Sequence, residues 1–157
     1  LRFVSQIKSG VNSVSAPVYS HLSYDRVPGE SLNIEQPDIL IVEGLNVLAP
    51  PATSSALAVS DLFDFGIFVD ARTPDIARWY EERFLQLQQG AFQNPESYFH
   101  RYAMLEENEA RAEAQRIWAA INEPNLVDNI LPTRPRASLI LQKEADHRIR
   151  KILLRRI

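Results

Sequence analysis

The chain has 157 residues, of which 45% are hydrophobic and 24% charged, a composition ordinary for a globular domain with a core of its own. Its net charge of -3 gives no general attraction to nucleic acid, and no apolar run reaches the roughly 20 residues that span a bilayer. The absence of cysteine excludes disulfides and thiolate metal sites. We therefore expect a cytoplasmic protein with no nucleic-acid or membrane partner.

The first third of the chain predicts a helix end followed by strands. Apolar residues at helical spacing over residues 1–7, with Gly10 after them, indicate the last turns of a helix that begins upstream. Residues 16–24 alternate as a strand does, and Pro28 with Gly29 favours a turn. The apolar run at residues 39–42 predicts a short strand buried on both faces, as in a parallel sheet covered by helices.

The rest of the chain alternates strands with helices. A second apolar run at residues 65–69 predicts another buried strand, and Pro74 suits the first turn of a helix that Thr73 would cap. Residues 94–96 favour the start of a shorter helix, and residues 106–122 a long amphipathic one that Pro124 would end. Strands are predicted at residues 137–142 and 149–154. The pattern predicts an α/β fold in which residues 1–157 form one domain.

Three polar residues are candidates for chemistry. Glu43 follows a predicted buried strand, where carboxylates can hold Mg²⁺ or merely cap a loop, and the residues alone leave both open. Arg83 shares a helix face with Trp79 and Tyr80; it could meet a phosphoryl group or simply pack its stem. His21 shares a strand face with Tyr19, a pair suited to a polar ligand, although a lone histidine is more often structural.

Aromatic side chains cluster around a loop at Gly90. They are Phe84, Phe92, Tyr98, Phe99 and Tyr102. Such a set usually forms core, but this one spans a helix, a turn and the next predicted helix and could line a pocket. The last 24 residues carry eight basic and two acidic side chains. Such a tail could attract phosphates, nucleic acid or acidic lipid, but we favour a solvated, charge-blunted edge strand.

A missing motif limits what the chain can do. Its five glycines are far apart, so no glycine-rich loop ending in Gly-Lys-Ser/Thr is present to cradle a triphosphate.

Four segments together resemble bacterial type I pantothenate kinases, most closely actinobacterial ones. They are APVYSHL at 16–22, PDILIVEGLNVL at 37–48, Trp79-Tyr80 with Arg83-Phe84, and NILPTR at 129–134. The resemblance runs along the whole chain. It implies a P-loop kinase fold with a parallel sheet flanked by helices, of which this chain is the C-terminal portion without the P-loop. It also implies a homodimer that phosphorylates pantothenate with ATP and Mg²⁺, the first step toward coenzyme A.

The resemblance assigns roles residue by residue. The positions that match pantothenate-binding or pocket-lining residues are Tyr19, His21, Tyr80, Asn122, Phe84, Phe92, Phe99 and Tyr102. Arg83 matches the arginine that supports the transferring phosphoryl group, Glu43 an acidic residue near Mg²⁺, and His147 a position near the adenine. Coenzyme A is implied as a feedback inhibitor, although Leu87 departs from the phenylalanine that some members carry there.

Two alternatives remain beside a kinase portion that is inactive by itself. The chain could be a non-catalytic remnant that binds pantothenate or coenzyme A, or that pairs with a full-length subunit. It could instead come from a relative of uridine kinase or phosphoribulokinase, which shares the strand followed by Glu-Gly. Tyr19, His21 and Asn122 argue against that relative.

Overall fold

The structure is a computed structural model that describes residues 1–53 and 56–156. The chain divides into two compact units. The first, here called the sheet unit, consists of Leu1–Ala16, Ser31–Ala71 and Asn125–Ile157. The second, the aromatic unit, consists of Pro17–Glu30 and Arg72–Pro124.

The sheet unit contains a three-stranded mixed sheet. Strands β3 (Ile67–Asp70) and β4 (Leu139–Lys143) pair in parallel, and β5 (Ile149–Leu154) pairs antiparallel with β4, in the order β3-β4-β5. Phe68 packs into a core with Leu48 and Ala137. The expected α/β class is confirmed, and the predicted strands near residues 137–142 and 149–154 are present.

The expectation of strands buried on both faces is wrong. Residues 39–42 form no strand, and the side chains of Ile39 and Ile41 are 81% and 85% exposed. In β3, Ile67 and Val69 are about half exposed while Phe68 is buried. A strand needs a neighbour to pair its backbone groups, and within the described residues β3 pairs only with β4.

The N-terminal helix is confirmed. Helix α1 spans Arg2–Lys8, and Gly10 follows it with φ of 77°, a left-handed conformation that favours glycine. Strands β1 (Ser13–Ser20) and β2 (Asp25–Glu35) then form a two-stranded sheet. The strand predicted at 16–24 is displaced: β1 begins at Ser13 and ends at Ser20, because residues 21–24 form a turn. The turn predicted at Pro28-Gly29 is wrong: both lie within β2, where Gly29 takes φ of 78°.

The aromatic unit is built on two helices. Helix α2 spans Thr73–Gln89, with Pro74 in its first turn as predicted, but Arg72 rather than Thr73 is the residue that precedes it. Helix α3 spans Glu107–Ile117, and at its start the Glu106 backbone N–H donates a hydrogen bond to the Glu109 carboxylate. The alanines of α3 let the two helices approach closely: Ala110 and Ala114 are fully buried against Phe84.

Two further predictions about the helices are wrong. No helix opens at residues 94–96, which form turns between the short 3₁₀ segments Ala91–Gln93 and His100–Tyr102. The helical backbone also continues past Pro124, through π turns at Trp118–Asn122 and Leu126–Ile130 on either side of α4 (Glu123–Asn125). A proline lacks the N–H of a regular helix and crowds the preceding turn, and a locally wider turn accommodates it. The segment Leu131–Arg136 is 3₁₀ helix, as is Val59–Leu62.

Candidate acceptor site

The residues predicted to contact the acceptor all belong to the aromatic unit. They are Tyr19, His21, Tyr80, Phe84, Phe92, Phe99, Tyr102 and Asn122, and Arg83 belongs to the same unit. Glu43 and His147 belong to the sheet unit.

The phenyl rings of the predicted pocket pack into one cluster. The Phe84 ring lies 5.5 Å from that of Phe92 and 5.3 Å from that of Tyr102, measured between centroids. Phe99 joins through Phe92, with centroids 5.2 Å apart. Phe84 and Phe92 are buried, whereas Phe99 and Tyr102 are partly exposed. The cluster therefore forms an apolar wall of which the rings of Phe99 and Tyr102 are partly exposed.

The turn after β1 places a second row of rings beside this cluster. The rings of Tyr19 and His21 meet edge to face at 5.3 Å, and Tyr19 lies 6.2 Å from Tyr24. Tyr24 in turn contacts Phe99 at 4.9 Å and stacks on Tyr98 at 5.4 Å. His21 therefore lies in a turn. The alternating pattern had predicted that His21 lies on a strand, and this prediction is wrong.

Tyr24 is a residue of this row that the sequence did not single out. Treated as a strand, residues 16–24 put Tyr24 on the face opposite Tyr19 and His21. The structure turns the chain over at residues 21–24 and gives Tyr24 a φ of 56°, a left-handed conformation uncommon for a residue with a side chain. One signal in the sequence could have found Tyr24: with Tyr19 and His21, it is the third aromatic side chain within six positions.

Tyr80 connects α2 to the π turn at the end of α3. Its ring lies 5.8 Å from that of Trp118, and its hydroxyl interacts with the side-chain amide of Asn122. Burial raises the pKa of Tyr80 above its ordinary value of 10.0, and the Asn122 interaction offsets part of that rise. The phenol is therefore protonated at neutral pH, when it can donate a hydrogen bond to a ligand.

Tyr19 is a second protonated phenol of the aromatic unit. Loss of hydration raises the pKa of Tyr19 above 10.0, with smaller contributions from Tyr24 and Asp25. Together with the amide of Asn122 and the imidazole of His21, the two phenols supply hydrogen-bond donors and acceptors in the same unit as the apolar wall.

Arg83 is exposed on α2, three residues after Tyr80. Within the described part of the chain its guanidinium makes no hydrogen bond, ion pair or ring contact, so all five of its N–H donors are available to an anion.

Glu43 and His147 lie outside the aromatic unit. Glu43 is exposed in an irregular segment, and His147 is exposed in the turn between β4 and β5, with φ of 69°. Among the described residues no three histidine or carboxylate side chains gather as a metal site would require. One carboxylate does not hold Mg²⁺ unaided, but it suits Mg²⁺ that takes its other ligands from phosphates and water.

The N-terminal half of the chain fits a family of phosphotransferases. Residues 2–78 match the phosphoribulokinase / uridine kinase family. This agrees with the expected α/β kinase class.

Several curated proteins are similar to the chain over its whole length. The whole chain is 66% identical to a protein of Clavibacter michiganensis subsp. michiganensis named pantothenate kinase, 65% to one of Leifsonia xyli subsp. xyli and 58% to one of Corynebacterium efficiens, both with the same name. The resemblance to actinobacterial pantothenate kinases is thereby confirmed. The chain spans about half the length of these relatives, 47% to 49%, and corresponds to their C-terminal half.

No helix among the described residues is both long and apolar enough to cross a membrane.

Proposed function

We propose that this chain is the acceptor-binding part of a pantothenate kinase, which transfers the γ-phosphoryl group of ATP to the terminal hydroxyl of pantothenate. The observation that supports the proposal is that two polar pairs, Tyr19 with His21 and Tyr80 with Asn122, belong to the same compact unit as the phenyl cluster. Pantothenate carries two hydroxyls, an amide and a carboxylate, which can form hydrogen bonds with these polar side chains. Its paired methyl groups match the apolar wall.

In this proposal Arg83 supports the transferring phosphoryl group. The charge that develops on the three equatorial oxygens is stabilised by an arginine fork, and the exposed guanidinium of Arg83 has no competing partner among the described residues. Glu43 would hold Mg²⁺ together with the phosphates of bound ATP, and His147 would contact the adenine. Mg²⁺ would supply neutralisation of phosphate charge.

We infer that the chain alone does not catalyse transfer. Catalysis of phosphoryl transfer rests on positioning and on charge stabilisation, and this sequence contains no glycine-rich Gly-Lys-Ser/Thr loop to position the triphosphate. Turnover of ATP and pantothenate by the purified chain would contradict this inference.

Two experiments test the acceptor assignment. Calorimetry of the chain with pantothenate should detect binding, with uridine as the control that should give none. A chimera that joins the N-terminal half of the Clavibacter relative to this chain should phosphorylate pantothenate. Phosphorylation of uridine but not pantothenate would replace the proposal with the second candidate, a uridine kinase relative, which the family match of residues 2–78 favours.

A third candidate is a non-catalytic remnant that binds pantothenate or coenzyme A, or that pairs with a full-length subunit. A chimera that binds pantothenate but transfers no phosphoryl group would favour it.

We further propose a cytoplasmic homodimer that coenzyme A inhibits. Sedimentation of the chimera tests the dimer, and calorimetry with coenzyme A tests the inhibitor, including the effect of Leu87→Phe.

A further inference from the structure

Arg101 lies against two tyrosines of the aromatic unit. Its guanidinium carbon is 5.3 Å from the centroid of the Tyr98 ring and 4.8 Å from that of the Tyr102 ring. Its Nη2 also donates a hydrogen bond to the Tyr102 hydroxyl at 3.1 Å. Arginine combines a flat stacking surface with directed N–H donors, whereas a lysine ammonium is a point charge.

The two tyrosines belong to different parts of the candidate site. Tyr98 stacks on Tyr24 and so adjoins the polar row with Tyr19 and His21. Tyr102 contacts Phe84 and so belongs to the apolar wall. One exposed side chain therefore contacts both the polar row and the wall.

The Tyr102 hydroxyl is held from a second direction. It interacts with the carboxylate of Glu113 on α3, which accepts two hydrogen bonds of 2.7 Å from Nε and Nη2 of Arg116. A ring whose hydroxyl is held by a cation on one side and a carboxylate on the other cannot swing to another χ1 rotamer without breaking both contacts.

We propose that Arg101 is a positioning residue for the acceptor pocket: it holds the Tyr102 ring, together with Glu113, in the orientation that completes the apolar wall. The inference rests on the proposed function for what the pocket binds. Arg101 itself contacts no acceptor. Its removal weakens acceptor binding because Tyr102 then samples orientations that close or widen the pocket.

The experiment compares Arg101→Met with Arg111→Met in this chain. Arg111 is a matched control, because it lies in the same unit and carries the same charge but pairs with Glu81 and Glu107 instead of a ring. Two quantities are measured: exchange of the Tyr102 ring between χ1 rotamers by NMR, with Tyr102→Phe for assignment, and the affinity for pantothenate and for panthenol, in which an alcohol replaces the carboxylate.

We expect Arg101→Met to speed Tyr102 ring exchange and to weaken both ligands equally, by about two- to fivefold. Arg101→Lys should not rescue either quantity, and Arg111→Met should change neither. In the Tyr102→Phe background the effect of Arg101→Met on affinity should shrink, because the hydroxyl contact is already lost.

Three results would overturn the proposal. One is unchanged ring exchange in Arg101→Met. Another is unchanged affinity for both ligands. The third is a loss for pantothenate alone, which would mean that Arg101 contacts the carboxylate directly. If the unmodified chain binds neither ligand, the proposed function fails, and the NMR measurement still decides whether Arg101 holds Tyr102.

Discussion

The ring of Tyr24 meets the ring of Phe99 edge to face, with centroids 4.9 Å apart. This contact, and a 2.9 Å hydrogen bond from the Tyr98 backbone N–H to the Leu22 carbonyl, join the turn after β1 to the loop after α2. Two segments about 75 residues apart in sequence are thereby brought together. This junction holds the polar row against the phenyl cluster.

The first prediction concerns the backbone at Tyr24. Both Tyr24→Ala and Tyr24→Gly remove the ring contacts, but only glycine adopts a φ of 56° without strain. We expect the Gly variant to be more stable than the Ala variant by about 1 kcal/mol. Urea unfolding measures the difference, and Tyr24→Phe serves as the control that keeps the ring. An Ala variant as stable as the Gly variant would show that the turn does not hold this conformation.

The second prediction concerns Gln88, a buried amide of α2. Its Nε2 donates to the carbonyls of Ala103 and Leu105 at 3.2 and 3.0 Å. Gln88→Leu removes both donors and leaves the Leu105 carbonyl without this partner, so we expect a loss of about 2 kcal/mol in unfolding free energy. Gln86→Leu, at an exposed position of the same helix, should change it by less than about 0.5 kcal/mol. Equal effects at the two positions would contradict this account.

Local patterns predicted those parts of the fold that local chemistry controls. Pro74 marks the first turn of α2, and the hydrophobic pattern of residues 149–154 gives the bounds of β5. The strand predicted at residues 39–42 failed because a strand depends on its neighbours, and an apolar run does not reveal whether one is present. The prediction that Pro124 ends the helix was wrong because the π turns on either side accommodate the proline.

The sequence could name the candidate site residues but not their arrangement. Resemblance to a family supplied Tyr19, His21, Tyr80 and Asn122, whereas the Tyr19–His21 and Tyr80–Asn122 contacts depend on a four-residue turn and a π turn that no periodicity indicates. Tyr24 and Arg101 were missed for the same reason. Their contacts exist only after the turn reverses the chain and the 3₁₀ segment at His100–Tyr102 forms.

The third prediction concerns acid stability. Hydrogen bonds from Arg116 hold the pKa of Glu113 below its ordinary value of 4.5. Because the folded state releases this proton more readily, the pair's stabilisation is fully present above about pH 4.5 and is lost as the pH falls through the lower folded-state pKa. Glu113→Gln should therefore be less stable than the unmodified chain at pH 7, and the gap should narrow as the pH falls toward 3.

Urea unfolding at the two pH values measures this gap. Glu96→Gln is the control, since the Glu96 carboxylate makes no ion pair among the described residues. A gap of the same size at pH 3 and pH 7 would mean that Glu113 contributes through packing and not through its charge.

The fourth prediction concerns Tyr80 as a hydrogen-bond donor. Because burial raises its pKa above 10.0, the phenol keeps its proton from pH 6 to pH 9, and its contribution to pantothenate binding should be constant over that range. Tyr80→Phe should weaken binding by roughly tenfold, the value of one hydrogen bond. Calorimetry at pH 6, 7.5 and 9 compares the two proteins. A ratio of affinities that changes with pH in this range would contradict the assignment.

The fifth prediction separates Arg83 from the residues that bind the acceptor. In the chimera, Arg83→Met should lower kcat by about 10³-fold or more, because an arginine that stabilises the transferring phosphoryl group acts in the transition state. The affinity for pantothenate should not change, because Arg83 is assigned to the phosphoryl group and not to the acceptor. Stability should not change either, since the exposed guanidinium has no partner within residues 1–53 and 56–156.

Arg83→Lys should recover only part of the rate, because lysine lacks the planar fork that matches phosphate oxygens. Single-turnover and steady-state kinetics measure kcat, and calorimetry measures pantothenate binding. An Arg83→Met chimera that binds pantothenate tenfold more weakly at unchanged kcat would move Arg83 from the transfer step to the acceptor pocket.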